Sequence, residues 1–351
     1  MTHEETLVPT DVLLVAVPET SGSVLYGMVD MLSATSWLWS ELVGKVPSPS
    51  PLRPRIVAPE GAPFLCSNGV PVSPELAVDD DPKAPIVIVP ELLLVPDGAV
   101  EGRYPALLEW LRRRHATGSM LYSSCSGSVL LADAGLLDGC HATAHWSDET
   151  RYRKAHRRVE FDRAPALVAA SDTIVTAAGT SSWQDLLLHI IARHCGPREA
   201  LQVARINLLR WHSEGQLPYV ALHRRERHAD RGVRDVEDWL EHHFAEPQAV
   251  AGVVARSALA ERTLKRRFKR ATGHTLIDYV QNLRIEEAKR QLAEEGRPSE
   301  EVAAAVGYEN SAFFRRLFRR LTGVTPGQYR TMFQPIANAG SAPIQSLLAK
   351  A

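Results

Sequence analysis

Between Val253 and Arg330 the chain repeats itself at an offset of 50 residues, and that repeat constrains the C-terminal third more than any other feature does. The shift carries Leu264 onto Phe314, Arg266 onto Arg316, Phe268 onto Phe318, Thr272 onto Thr322, Gly273 onto Gly323 and Tyr279 onto Tyr329. The two copies read LKRRFKRATGHTLIDY and FRRLFRRLTGVTPGQY. Solenoids need three or more units, so two copies indicate a duplicated small module. Each copy opens with a short apolar-periodic helix, marked by Val250, Val253 and Val254 or by Val302, Ala305 and Val306. A turn follows at Ser257-Ala258 or Gly307-Tyr308. The second helix then places Leu259, Leu264 and Phe268, or Phe313, Phe314, Leu317 and Phe318, on its buried side. It ends at Gly273 or Gly323, which suit a left-handed C-cap. Two helices joined by such a turn form a helix-turn-helix.

The outer face of each second helix is basic. Arg262, Lys265, Arg266, Arg267, Lys269 and Arg270 fill the first, and Arg315, Arg316, Arg319 and Arg320 the second. One cationic helix face is ordinarily just solvated. The same face on the same helix of two copies fits phosphate neutralisation and base-edge contact in a major groove. The formal net charge of −1 does not suggest a polyanion partner, but its distribution is uneven. Residues 232–332 hold 17 Lys/Arg and 14 Asp/Glu, a balance of +3, which leaves −4 elsewhere. That excess is small, so the local clusters carry the argument.

This region resembles the DNA-binding domain of the AraC/XylS family of transcription regulators, the second copy most fully in AAAVGYENSAFFRRLFRRLTGVTPGQYR. The resemblance implies two helix-turn-helix modules on a linking helix, here Leu276–Glu294, that read two successive major-groove faces of double-stranded operator DNA. Such faces recur about every 34 Å. Motif alignment points Arg262, Thr263, Lys265 and Arg266 into one groove face and Ser311, Ala312, Arg315 and Arg316 into the next. The family also implies a homodimer and RNA polymerase as a partner.

The 351 residues suffice for two or three domains, and 45% hydrophobic with 23% charged residues is ordinary globular composition. The start, MTHEETLVPT, lacks the basic and apolar regions of a signal peptide. No apolar run reaches the roughly 18 residues of a membrane span. Cys66, Cys125, Cys140 and Cys195 lack metal-ligand spacing and read as free thiols. A cytoplasmic protein without membrane, metal or cofactor is expected.

Residues 11–195 alternate strand and helix patterns. Strands are predicted at Asp11–Val17, Arg55–Ala58, Ile86–Val89, Ser119–Ser123 and Ile174–Thr176. Helices are predicted at Val24–Trp39, Tyr104–His115, Ser126–Ala134, Ser182–His194 and Pro197–Trp211. The alternation implies a mostly parallel sheet covered by helices on both faces. Trp37 is expected in the core, Trp39 at the surface, and Arg112–Arg114 in solvent.

Cys125 falls between a strand and a helix in LYSSCSGSVLLADAGLLDG. A side chain on such a turn is exposed above the sheet, and a helix N-terminus favours both thiolate and anions. His145 lies twenty residues on. An anionic or carbonyl-bearing ligand is therefore expected in a pocket they share.

Residues 11–195 are similar to the ThiJ/PfpI superfamily, relatives of class I glutamine amidotransferases. The similarity is carried by Cys125, Gly127, Ala134-Gly135-Leu136-Leu137, Gly139, Ala142-Thr143 and His145-Trp146. The GlxA-type branch joins such a domain to an AraC-type C-terminus, in the order seen here, and implies amino-acid-like or quaternary-amine effectors. Active enzymes of the superfamily pair the cysteine with a carboxylate after the first strand, where Glu19 is the candidate. They also carry Gly-Gly after the third strand, where this chain has Val89-Pro90-Glu91-Leu92. The constellation is incomplete, so no catalytic residue is assigned. Cys125, Ser126, His145 and Glu19 are expected to bind a small-molecule effector.

The expected fold is α/β, with a mostly parallel flavodoxin-like sheet, followed by a separate all-α domain with two helix-turn-helix motifs. The expected divisions are a sensing domain at 8–215, a linker at 216–231, a DNA-binding domain at 232–332 and a tail at 333–351. Arg224, Arg225 and Arg227 in the linker are expected in solvent. The expected function is a ligand-responsive, sequence-specific transcription regulator. The alternative is a cysteine hydrolase or amidase that a DNA-binding domain merely locates.

Overall fold

The computed structural model describes residues 8–94, 100, 102–179, 181–221 and 228–338. The chain forms two compact units that divide between Gln216 and Leu217.

The first unit is built on a seven-stranded sheet. Its strands run in the order Leu167–Ala169, Ile174–Ala177, Met120–Ser124, Ile86–Val89, Thr10–Val15, Leu52–Ala58 and Leu76–Ala77. All neighbours pair in parallel except Leu167–Ala169, which runs antiparallel to Ile174–Ala177. The strands read as unbroken apolar runs because both faces are covered. Successive side chains point to opposite faces. Leu13, Val15, Val87 and Val89 therefore enter one core with Leu107, Trp110, Leu111 and Leu130. Val12, Leu14, Ile86 and Ile88 enter the other with Leu25, Met28, Leu187 and Ile190.

The helices are α1 (Gly22–Ser33), α2 (Trp37–Leu42), α3 (Pro105–Ala116), α4 (Ser128–Asp133), α5 (Glu149–Ala155), α6 (Ser182–His194) and α7 (Pro197–Ile206). The single helix expected over Val24–Trp39 is broken at Ser36, which adopts φ 67°. That break reverses the tryptophans: Trp37 is 45% exposed, and Trp39 is half-buried. Arg114 is buried rather than solvated, its guanidinium 3.2 Å from the Asp81 carboxylate. The chain leaves helix after Ile206 through Leu208, at φ 52°, so the helix expected to reach Trp211 stops short. His212 then anchors on α6, its Nδ1 lying 2.8 Å from Oδ2 of the buried Asp185.

The second unit is helical: α8 (Arg231–His243), α9 (Ala249–Arg256), α10 (Glu261–Thr272), α11 (Leu276–Arg290), α12 (Ser299–Ala305), α13 (Ser311–Thr322) and α14 (Pro326–Asn338). A π turn at Gln291–Glu295 continues α11 to the expected length of the linking helix. Part of the expected linker packs inside this unit. Leu217–Tyr219 forms a 3₁₀ turn, the Tyr219 ring meets Phe333 edge-on at 5.3 Å, and Lys289 Nζ donates to the Val220 carbonyl. Residues 334–338, expected in the tail, instead extend α14. Arg224, Arg225, Arg227 and the residues after Asn338 lie outside the described residues. No helix among the described residues is long and apolar enough to cross a membrane.

Candidate functional site

The sequence repeat returns as an atomic repeat. Phe268 meets Tyr279 at 5.2 Å and 82°, and their counterparts Phe318 and Tyr329 meet at 5.6 Å and 82°. Thr272 and Thr322 are buried, and each donates its hydroxyl to the carbonyl four residues back at 2.8 Å. Gly273 and Gly323 end α10 and α13 at φ 82° and 76°, the left-handed caps that the sequence called for. Leu264 and Phe268 fill one small core, and Phe314, Leu317 and Phe318 fill the other. The amphipathic pattern thus forces the opposite, basic face of each helix outward.

The structure separates the cations on that face. Lys265 pairs with Glu261, Arg315 with Glu300, and Arg320 with Gln281. Arg267 grips Asp230 through two bonds of 2.6 and 2.9 Å, which ties α10 to the N-cap of α8 and removes it from the reading face. Arg262, Arg266, Lys269, Arg270, Arg316 and Arg319 make no ion pair or side-chain hydrogen bond among the described residues. The exposed pairs at Lys265 and Arg315 are weak, worth about 0–1 kcal/mol, and open readily for a phosphate or a base. Thr263, Ser311 and Ala312 occupy the half-buried first turns of the same helices. Phe313 does not join the core as expected. It is 42% exposed in the first turn of α13, stacked obliquely against Tyr308.

In the first unit Cys125 stands at the end of the Met120–Ser124 strand with φ 53°, the strained corner that the strand-turn-helix pattern suggested. Ser128 Oγ donates to the Cys125 carbonyl at 2.8 Å, and Tyr152 donates to Ser128 Oγ at 2.5 Å, which holds the corner from beneath. Above it opens a cavity of about 270 Å³ lined by Glu91–Leu94, Cys125, Ser126, His145, Ser147 and Asp148. Ser126 Oγ accepts from the Leu92 amide at 3.1 Å and donates to the Leu92 carbonyl. The His145 ring turns its Nδ1 to Ser147, 2.6 Å from the hydroxyl. Gln216 fixes that loop: its Oε1 accepts from the Trp146 amide at 3.0 Å and its Nε2 donates to the Ala144 carbonyl at 2.9 Å.

Glu19 is not part of this cavity. Its carboxylate accepts from Tyr104 at 2.5 Å and pairs with Arg103. The carboxyl groups that line the cavity are Glu91 and Asp148, the first in the loop that lacks the Gly-Gly pair. The surroundings also disfavour the expected thiolate. Burial pushes the Cys125 thiol well up, and Glu91, which it hydrogen-bonds, and Asp148 push the same way. The helix beyond is six residues long and does not offset this. Burial raises Asp148 to about 6, against the pull of Arg151 and with help from Glu91. Burial also lowers His145. The pocket is thus a small cavity lined by two carboxyl groups, in which burial moves both the thiol and the imidazole away from their charged forms.

Residues 253–332 match the helix-turn-helix domain family model, and residues 41–193 match the DJ-1/PfpI family model. The chain is 28% identical over 293 residues to the HTH-type transcriptional regulator CdhR of Pseudomonas aeruginosa, covering 82% of this chain and 84% of that protein. It is 26% identical over 226 residues to the HTH-type transcriptional regulator GlxA of Rhizobium meliloti, covering 63% and 68%. It is also 30% identical over 98 residues to the multiple antibiotic resistance protein MarA of Salmonella typhimurium, covering 28% and 77%.

Proposed function

Because the chain belongs to the helix-turn-helix transcriptional regulators of AraC type that carry a DJ-1/PfpI domain, we propose that α10 and α13 read two successive major-groove faces of an operator while the Cys125 cavity sets the response to a small effector. The observation that supports the reading best is the pair of exposed arginines, Arg266 and Arg316, at matching positions of two equivalent helices and without a partner among the described residues. In this reading Arg262, Thr263, Lys265 and Arg266 serve one face, and Ser311, Ala312, Arg315 and Arg316 the other. An arginine held bidentate to guanine contributes about 1–3 kcal/mol of discrimination. Arg266→Ala should relax preference at one or two base pairs of a duplex selected from a random pool. A uniform loss on every sequence would place Arg266 on phosphate only.

The effector pocket is small beside the roughly 300–1,000 Å³ of drug-sized sites, and two carboxyl groups line it. That favours a small amine or another cationic metabolite. Turnover is not part of this reading. Burial moves the thiol away from the nucleophilic thiolate, and the Leu92 amide in the same cavity is bonded to Ser126. An amidase or aldehyde activity lost in Cys125→Ala and untouched in Arg266→Ala would favour the enzyme instead. The protein is taken to act as a homodimer, with RNA polymerase as a further partner, in the cytoplasm. Sedimentation as a monomer at micromolar concentration would remove the dimer.

A further inference from the structure

Arg284 sits where α11 passes from one module to the other. Before it, Leu276, Tyr279 and Val280 enter the first small core; after it, Ile285, Ala288 and Leu292 enter the second. Arg284 is 8% exposed, and its guanidinium donates to three backbone carbonyls. Nε bonds Phe244 at 2.7 Å, Nη2 bonds Glu246 at 2.7 Å, and Nη1 bonds Gly307 at 3.0 Å. The plane also lies 4.8 Å over the Tyr308 ring. Phe244 to Glu246 join α8 to α9 of the first module, whereas Gly307 and Tyr308 form the turn of the second. These two segments also touch: a Cβ at Gly307, which has φ 86°, would fall 2.1 Å from the Ala245 carbonyl. A buried cation costs dearly unless every donor is answered, and only a planar fork reaches three carbonyls from two modules at once.

We propose that Arg284 is a positioning residue that locks the two helix-turn-helix modules into one rigid reader and so sets the base-pair spacing between the two half-sites the protein accepts. This rests on the two-face reading of DNA given above. One inserted base pair moves the second groove face by about 3.4 Å and about a tenth of a turn. A rigid reader cannot follow that shift, whereas modules joined by α11 without the clamp can adjust.

The test uses the full-length protein and a duplex that it selects from a randomised pool, with one base pair then inserted or deleted between the half-sites. The readout is the ratio of affinities for the native and altered spacings, in which any inactive fraction of protein cancels. Wild type should lose at least about tenfold on the altered spacing, the discrimination of a single lost base contact. Arg284→Met should bind the native site more weakly and lose less than about threefold on the altered one. Arg284→Lys, which reaches one carbonyl instead of three, should fall between them and serves if the Met variant does not fold. A purely structural role would weaken both sites alike and leave the ratio unchanged, which would overturn the proposal. So would a wild-type protein indifferent to spacing. Failure to select any preferred duplex would instead remove the DNA reading beneath it.

Discussion

The second unit carries its function twice, and the first carries it once. In the second, each feature of α10 can be checked against α13: the edge-on Phe–Tyr contact, the threonine bond and the glycine cap recur, so what differs is informative. Arg267 is turned aside to Asp230 where the second copy has the buried Leu317, and Ala260 stands where Asn310 caps. The first unit offers no such internal control. Glu91, Cys125 and Ser126 in its pocket are buried, and the field of their neighbours determines what they do. Exposed cations suit a polyanion, whereas a small pocket lined by carboxyl groups suits a small ligand. The two regions should therefore respond to separate substitutions.

The largest effect should come from removing one free arginine in each module. Arg266→Ala with Arg316→Ala should weaken binding to the selected duplex by about 2–6 kcal/mol, two lost base contacts, while effector binding to the first unit stays unchanged. Fluorescence anisotropy for DNA and calorimetry for the effector read the two separately; a parallel loss of both would break the comparison.

The converse substitution lies in the pocket. Glu91→Gln, Cys125→Ser or His145→Ala should leave operator binding without effector intact and change the response to it. Coupling between two sites is typically about 5–150-fold. An amine effector should bind more tightly as pH rises through about 6, where Asp148 loses its proton, and Asp148→Asn should flatten that dependence. Loss of DNA binding in a folded pocket variant would make the cavity structural.

A smaller effect follows from His212, whose imidazolium is stabilised chiefly by its hydrogen bond to Asp185. Its folded pKa lies above the ordinary 6.5, so the stability it contributes is complete below that value. That stability is lost as pH rises through the raised folded value. Thermal unfolding of the first unit should decline over that window in wild type and not in His212→Gln, with the second unit unaffected. The smallest effect concerns the caps. Asn310 accepts from the Phe313 amide at 2.9 Å, so Asn310→Ala should cost about 1 kcal/mol. Ala260→Asn should stabilise the first module, with thermal shifts of opposite sign as the check.

The repeat, the basic faces, the caps and the central strands were legible because each is a local pattern whose period matches its element. Ile86–Val89 and Ser182–His194 have the expected bounds for that reason. Edge strands of two or three residues, such as Leu76–Ala77, are too short to show a period. The break at Ser36 depends on a single left-handed residue. Glu91 carries no pocket signal in the sequence because its role comes from a loop brought to Cys125 by strand order, and Glu19, the carboxylate suggested by position, is held by Arg103 and Tyr104. Phe313 departs from its pattern for a subtler reason. It borders the apolar stripe of α13, and only the packing decides on which side it falls.

The central claim, that two equivalent helices read two groove faces, is tested most directly by footprinting the full-length protein on its selected duplex. Two protected major-groove patches should appear on one side of the DNA, about one helical turn apart. Arg266→Ala should weaken protection at one or two base pairs of one patch and Arg316→Ala at one or two of the other. A single patch, or protection that ignores sequence and survives both substitutions, would contradict it.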